Sequence, residues 1–236
     1  MILDKNKIES ESSEILFNRL QKELLDPLAF RLSTSIQWWK LDGLSKGKSY
    51  KYPVAVIGEG KPILMLHGFD SSFLEFRRLV PLLSDTHKII IPDMFGFGFC
   101  PRPIDAKYGK KAILLHLNKI LAHINIDRGM GLIGASMGGG IAMELARMNP
   151  EKINRILLLS PAGLTGRQMP LPSLIGHAGI WFLSRPSVRK KLCQQAFADP
   201  KRSVGLAEEQ IASIHLQVPG WGESLASFAI QGGLAN

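Results

Sequence analysis

The chain has 236 residues, 45% of them hydrophobic, and a formal net charge of +9; that is enough apolar material for one substantial core and too little length for two full-sized domains. Its two cysteines, Cys100 and Cys193, stand far apart and give a disulfide framework nothing to rest on, while the polar run from Met1 to Ser13 lacks the apolar stretch of a secretory signal, so a cytoplasmic location is expected. The positive charge gathers in clusters such as Arg189-Lys190-Lys191 and Lys107 with Lys110-Lys111, yet no aromatics interleave with them and no nucleic-acid motif appears, so solvated faces are expected and no nucleic-acid partner.

From Ile2 to about Leu44 apolar residues at Ile15, Leu16, Leu20, Leu24 and Leu28 recur at helical spacing, predicting an amphipathic helix within an N-terminal extension over residues 1–49, with Trp38-Trp39 following as packing residues. The pattern then changes to period two through Tyr50, Tyr52, Val54 and Val56, and Gly58-Glu59-Gly60-Lys61-Pro62 reads as a hairpin-like turn. Ile63-Leu64-Met65-Leu66 is the continuous apolar run of a strand buried on both faces of a parallel sheet. Strand and helix signals alternate thereafter: a helix from Phe73 to Leu83, a strand from Lys88 to Pro92, and a helix from Lys107 to Asn125. A strand at Gly131 to Gly134, a helix from Met137 to Met148 stopped by Asn149-Pro150, and a buried strand from Ile153 to Leu159 complete the series. This alternation predicts an α/β fold over residues 50–160, a doubly wound and mostly parallel sheet with helices on both faces.

From Pro161 onward the alternation fails, and residues 161–236 read as an inserted helical cap with helical patches at Val188 to Phe197 and Glu208 to Leu216. The uncharged stretch from Gln168 to Ser184 is broken by Pro170, Pro172, Gly176 and Gly179 and falls short of the ~20 residues a membrane span needs. No transmembrane segment is expected, and the stretch reads as a buried or substrate-facing surface.

The chemistry is concentrated in Gly134-Ala135-Ser136-Met137-Gly138-Gly139, set between a buried strand and an amphipathic helix. A serine hydroxyl is a poor nucleophile and must be presented so that a base reaches one side and substrate the other. A sharp strand-to-helix turn does this, and it brings the positions two residues either side of the serine so close that both must be glycine, here Gly134 and Gly138. A phosphate-holding turn would place G-x-x-x-x-G-K or G-x-G-x-x-G at this point, and neither stands there.

Together with His67-Gly68-Phe69-Asp70 after the first parallel strand, this turn resembles the α/β-hydrolase superfamily, in its serine-nucleophile branch with a helical cap. The resemblance implies an oxyanion hole made by the backbone N–H groups of Phe69 and Met137, rigid donors each worth roughly 3 kcal/mol. It implies structural roles for His67, for Asp93 ahead of Phe95-Gly96-Phe97-Gly98, and for Arg102-Pro103. Members that cleave carbon–halogen bonds or epoxides place aspartate in the elbow, so serine implies acyl chemistry: cleavage of an ester or related acyl bond of an apolar small molecule through an acyl-enzyme on Ser136. Carbon–carbon bond hydrolysis stays open, as does a non-catalytic ligand- or partner-binding protein on the same scaffold. The cap residues Leu171, Leu174, Trp181 and Phe182 are the expected substrate lining, and neither a cofactor nor a metal is required.

The resemblance also implies an acid and a histidine on turns beyond the cap. His177 and His215 both fall within the cap, and no further buried strand precedes Asn236. The expectation is that the C-terminal strands and helices of the fold lie outside this chain, and that a further segment or second polypeptide piece of about 60 to 80 residues carries the acid and the histidine.

Overall fold

The computed structural model describes residues 13–45, 49–126, 128–163 and 179–234. Among these residues six strands form one sheet in the order β1-β2-β4-β3-β5-β6: β1 (Ile36–Leu41), β2 (Tyr50–Ile57), β3 (Lys61–Leu66), β4 (His87–Pro92), β5 (Met130–Ala135) and β6 (Ile153–Leu159). β3 to β6 run parallel, and β2 joins β4 antiparallel with β1 antiparallel outside it. The doubly wound α/β sheet expected from the alternation is present.

Alternation along each central strand divides the core in two. Leu64 and Leu66 of β3, Ile90 of β4 and Leu132 of β5 face one cluster, which is closed by helices α3 (Lys110–Ile124) and α4 (Met137–Met148). Met65, Ile89, Ile91 and Ile133 face the other, closed by α1 (Ser13–Gln21), α2 (Pro27–Ser33) and the 3-10 turn Phe73–Arg78. A strand whose alternate side chains both bury reads as an unbroken apolar run, which is why these segments carried the clearest strand signal.

Several local expectations are corrected. Gly58 to Pro62 does not close a hairpin, because β4 lies between β2 and β3. A Cβ on Gly58 would fall 2.3 Å from Ser84 O, and one on Gly60 2.5 Å from Thr86 O; the glycines admit the backbone leading into β4. The segment after α2 is an edge strand, with Trp38 and Trp39 on it. Phe73 to Leu83 forms two 3-10 turns, Phe73–Arg78 and Val80–Leu82, with Pro81 the second residue of the latter. β6 is not buried: Ile156, Leu157 and Leu159 are 43%, 53% and 37% exposed, because β6 is the outer strand of the sheet on that side.

Beyond β6, residues 179–183 are helical, followed by α5 (Pro186–Gln195), α6 (Pro200–Ser203), α7 (Leu206–Ile211), a 3-10 turn Ile214–Gln217 and α8 (Trp221–Ile230). α8 went unforeseen, and its Trp221, Leu225 and Phe228 pack into the first core cluster. A buried ion network ties this region to the rest. Asp26 caps α2 by accepting from Leu28 N at 2.8 Å and also receives Arg77 Nε at 2.6 Å; Arg77 reaches Glu208 at 3.3 Å. Gln210 exchanges hydrogen bonds with the backbone of Leu25 and Glu23. No helix among the described residues is long and apolar enough to cross a membrane.

Candidate active site

β5 delivers the chain to Ser136, which takes φ 49, ψ −117 before α4 begins at Met137. Positive φ is costly for a residue with a Cβ, and two glycines make the turn possible. A Cβ on Gly134 would lie 2.5 Å from Gly138 O, and one on Gly138 would lie 2.1 Å from Leu66 O and 2.6 Å from His67 O. The elbow is held from the sheet side, where Ser136 N donates to Leu159 O at 2.9 Å and Ala162 N donates to Ser136 O at 2.8 Å. Ser136 itself is exposed, while Met137 sits in the first turn of α4, where amide groups have no helical acceptor and the dipole is positive.

The turn after β3 stands against the serine: a Cβ on Gly68 would be 3.5 Å from Ser136 Cβ. His67, wholly buried, accepts from Met94 N through Nε2 at 3.0 Å, so the proton is on Nδ1, which donates to Gly68 O at 2.8 Å. Gly68 O and Phe69 N belong to one planar peptide, so the imidazole that fixes the carbonyl also fixes the direction of the Phe69 N–H. Gly68 N donates to Glu75 Oε2 at 2.8 Å. Neither Phe69 N nor Met137 N donates to another described residue. Burial lowers His67 to about 4, keeping the ring neutral and this tautomer intact.

The wall beneath is built by Asp93, whose carboxylate accepts from Phe73 N and Phe99 N, both at 2.6 Å. Burial raises it to about 7 in spite of these amides. Arg102, partly buried, donates to Gly98 O at 2.8 Å, Gly96 O at 3.2 Å and Ser224 Oγ at 3.1 Å, pinning the 96–98 loop to α8.

The segment beyond β6 reaches this site through Asp70, which sequence reasoning passed over. Asp70 has φ 50, and its carboxylate receives Trp221 Nε1 at 2.7 Å, His215 Nε2 at 3.1 Å and Arg189 Nη1. Its pKa is lowered: burial alone would raise it, but the hydrogen bond and charge of His215, then Arg189 and Trp221, prevail. The signal was present in the sequence as a charged residue directly after His67-Gly68-Phe69, but its partners lie more than a hundred residues away. Trp181 and Phe182 are 62% and 52% exposed, with the Arg185 guanidinium 3.8 Å from the Trp181 ring centroid. Leu171 and Leu174, like His177, lie outside the described residues.

Residues 61–202 match the alpha/beta hydrolase fold family. The chain belongs to that family. It is 30% identical over 176 residues to 2-hydroxymuconate semialdehyde hydrolase of Pseudomonas sp. (strain CF600), covering 72% of this chain and 59% of that protein. To the alpha/beta hydrolase domain-containing protein VTE7 of Arabidopsis thaliana it is 32% identical over 192 residues, covering 77% and 56%. Among solved structures, Cfl2 from Burkholderia cenocepacia aligns with a TM-score of 0.68 at 23% identity, over 85% of this chain and 71% of that one, a likeness of fold. A soluble epoxide hydrolase of Corynebacterium sp. (strain C12) and Lipase 1 of Psychrobacter immobilis are also relatives. The chain spans less than three fifths of the length of the first two of these relatives.

Within this α/β-hydrolase scaffold, no described histidine hydrogen-bonds Ser136. His67 is committed to Gly68 and Met94, and His215 to Asp70. His123 stacks on Trp39 at 4.3 Å, His116 lies in the core against Tyr52, and His87 contacts Thr86. Among the described residues no group of three or more His, Cys, Asp and Glu side chains could hold a metal ion.

Proposed function

We propose that this chain carries the nucleophile and oxyanion-binding part of a serine hydrolase that cleaves an ester or related acyl bond of an apolar small molecule. The observation that carries the reading is Ser136 itself, a non-glycine residue at φ 49 between a buried strand and a helix. A conformation of that kind costs on the order of 1–3 kcal/mol and persists where the presented side chain is used.

Ser136 Oγ attacks the acyl carbonyl and forms the new C–O bond while its proton passes to a base. The carbonyl oxygen takes negative charge toward the N–H groups of Phe69 and Met137; the alkoxide leaves with the proton, and water attacking the Ser136 ester releases the acid. We assign the base and its carboxylate partner to a segment beyond residue 236 or a second polypeptide piece. The other commitments of the described histidines, the greater length of the relatives and the exposed apolar residues of β6 support this. In this reading residues 1–49 are an extension, 50–160 the catalytic core and 161–236 a cap whose Leu171, Leu174, Trp181 and Phe182 meet the apolar part of the substrate. The protein works in the cytoplasm without a cofactor.

A second reading, hydrolysis of a carbon–carbon bond, draws support from the similarity to 2-hydroxymuconate semialdehyde hydrolase. A panel of p-nitrophenyl esters of increasing chain length, run on the protein with its base-supplying part present and beside a vinylogous β-diketone followed by ultraviolet absorbance, separates the two. Ester turnover lost in Ser136→Ala supports the first reading, and turnover of the diketone alone supports the second. Inactivity toward both, with binding retained, indicates a non-catalytic binder.

A further inference from the structure

The peptide on which the oxyanion hole depends is anchored at both ends, and the two anchors come from different parts of the chain. On the amino side His67 Nδ1 and Glu75 Oε2 hold the carbonyl and the amide of Gly68, all within the core. On the carboxyl side Asp70 stands at φ 50, a left-handed conformation that aspartate tolerates better than most side chains. Three donors from α5, the 3-10 turn Ile214–Gln217 and α8 converge on its carboxylate: Arg189, His215 and Trp221. All four side chains are buried. Arg189 in turn donates to Ala212 O, and Arg189 Nε and His215 Nδ1 have no partner among the described residues. Phe69, between the anchors, packs on Phe97 at 5.7 Å and on Phe228 of α8 at 5.8 Å.

Leaving two buried polar atoms unpaired carries a cost, and a cluster built only to attach a helical segment to the core would be met more simply by apolar contacts. The alignment of three donors on one carboxylate, one residue from Phe69, has a geometric consequence: the backbone at Asp70 cannot leave its left-handed conformation without releasing all three.

We propose that Asp70, with Arg189, His215 and Trp221, is a positioning cluster through which the segment beyond β6 holds the Phe69 N–H on the oxyanion of the Ser136 reaction. Asp70 touches neither nucleophile nor substrate and acts through the backbone of Phe69. The inference rests on the serine-hydrolase reading for its catalytic consequence, though not for the rigidity of the turn.

Asp70→Asn keeps the shape and removes the charge that gathers Arg189 and His215. Glu208→Gln is the comparison, since it weakens a different contact between the same segment and the core, the one to Arg77. Two measurements are made on the protein with the segment or piece that supplies the base present: the second-order rate of Ser136 labelling by a fluorophosphonate, corrected for the folded fraction, and amide hydrogen exchange of the peptide containing Phe69. Asp70→Asn is expected to slow labelling by at least tenfold, bounded above by the roughly 100- to 1,000-fold that follows complete loss of one oxyanion donor, and to speed exchange at the turn at least tenfold. Glu208→Gln is expected to change neither by more than about twofold.

Unchanged labelling and unchanged exchange in Asp70→Asn would overturn the proposal and leave the cluster a structural joint. Loss of labelling with exchange unchanged would also overturn it, because Asp70 and His215 would then act chemically. If the wild-type protein is not labelled at all with the base-supplying part present, the serine reading fails, while faster exchange in Asp70→Asn would still establish the cluster as the restraint on the turn.

Discussion

Replacing Gly138 by alanine tests how tightly the elbow is built against the His67-Gly68-Phe69 turn. The new Cβ would lie 2.1 Å from Leu66 O and 2.6 Å from His67 O, both backbone atoms at the end of β3, with no flexible side chain to yield. Bringing the closer contact to ~3 Å requires the start of α4 and the end of β3 to part by about 0.9 Å, at the upper end of overpacking costs, ~3 kcal/mol. For a chain of this size ~1 kcal/mol lowers Tm by about 2–4 °C, so Gly138→Ala should melt roughly 6–12 °C lower. The same displacement moves Met137 away from Phe69, and a misplacement near 1 Å costs on the order of 100-fold in rate. Differential scanning fluorimetry and the fluorophosphonate labelling rate measure the two effects. Gly131→Ala is the control: its Cβ would meet Ile63 Cγ1 at 3.5 Å, an ordinary contact, and Tm should move by no more than ~2 °C. A Gly138→Ala protein with wild-type Tm and wild-type labelling would refute the close approach of elbow and turn.

Two further outcomes follow from buried groups. Arg77→Met leaves the buried carboxylates of Asp26 and Glu208 without their shared cation, at about 3 kcal/mol for breaking a buried pair; Tm should fall by several degrees, and an unchanged Tm would mean the network contributes nothing. His116 is wholly buried, both ring nitrogens lack partners among the described residues, and burial lowers it to about 3. The unfolded chain therefore takes up a proton near pH 6.5 that the folded chain refuses until about pH 3, so the contribution of this group to stability is complete above pH 6.5 and declines as pH falls toward 3. His116→Leu should flatten the pH dependence of urea melts in that window by up to ~1.4 kcal/mol per pH unit and be neutral or stabilising at pH 7; a slope identical to wild type would contradict the buried neutral ring.

The parts of this fold that were legible in the sequence are those governed by local pattern. Ile63 to Leu66, Ile89 to Pro92 and Met137 to Met148 sit where continuous apolar runs and a helical stripe placed them, because the sheet is covered on both faces and each strand must be apolar throughout. The strand order was not legible. Gly58 and Gly60 look like a hairpin turn, and only the passage of residues 84–87 across them explains why β2 and β3 are not neighbours. β6 reads as a buried strand from composition, yet its burial depends on what lies beside it. The elbow could be found because its glycines answer a steric need within five residues. The Asp70 cluster could not: the partners of Asp70, at 189, 215 and 221, are joined to it by tertiary packing alone, and α8 carries too many small residues for a clear periodic signal.

The most direct test of the account is to react the protein, with the segment or second piece that supplies the base present, with a fluorophosphonate and map the adduct by peptide mass spectrometry. The account predicts a single adduct on Ser136, absent in Ser136→Ala and unaffected by chelators. Labelling of another residue, or equal labelling of wild type and Ser136→Ala, would contradict it.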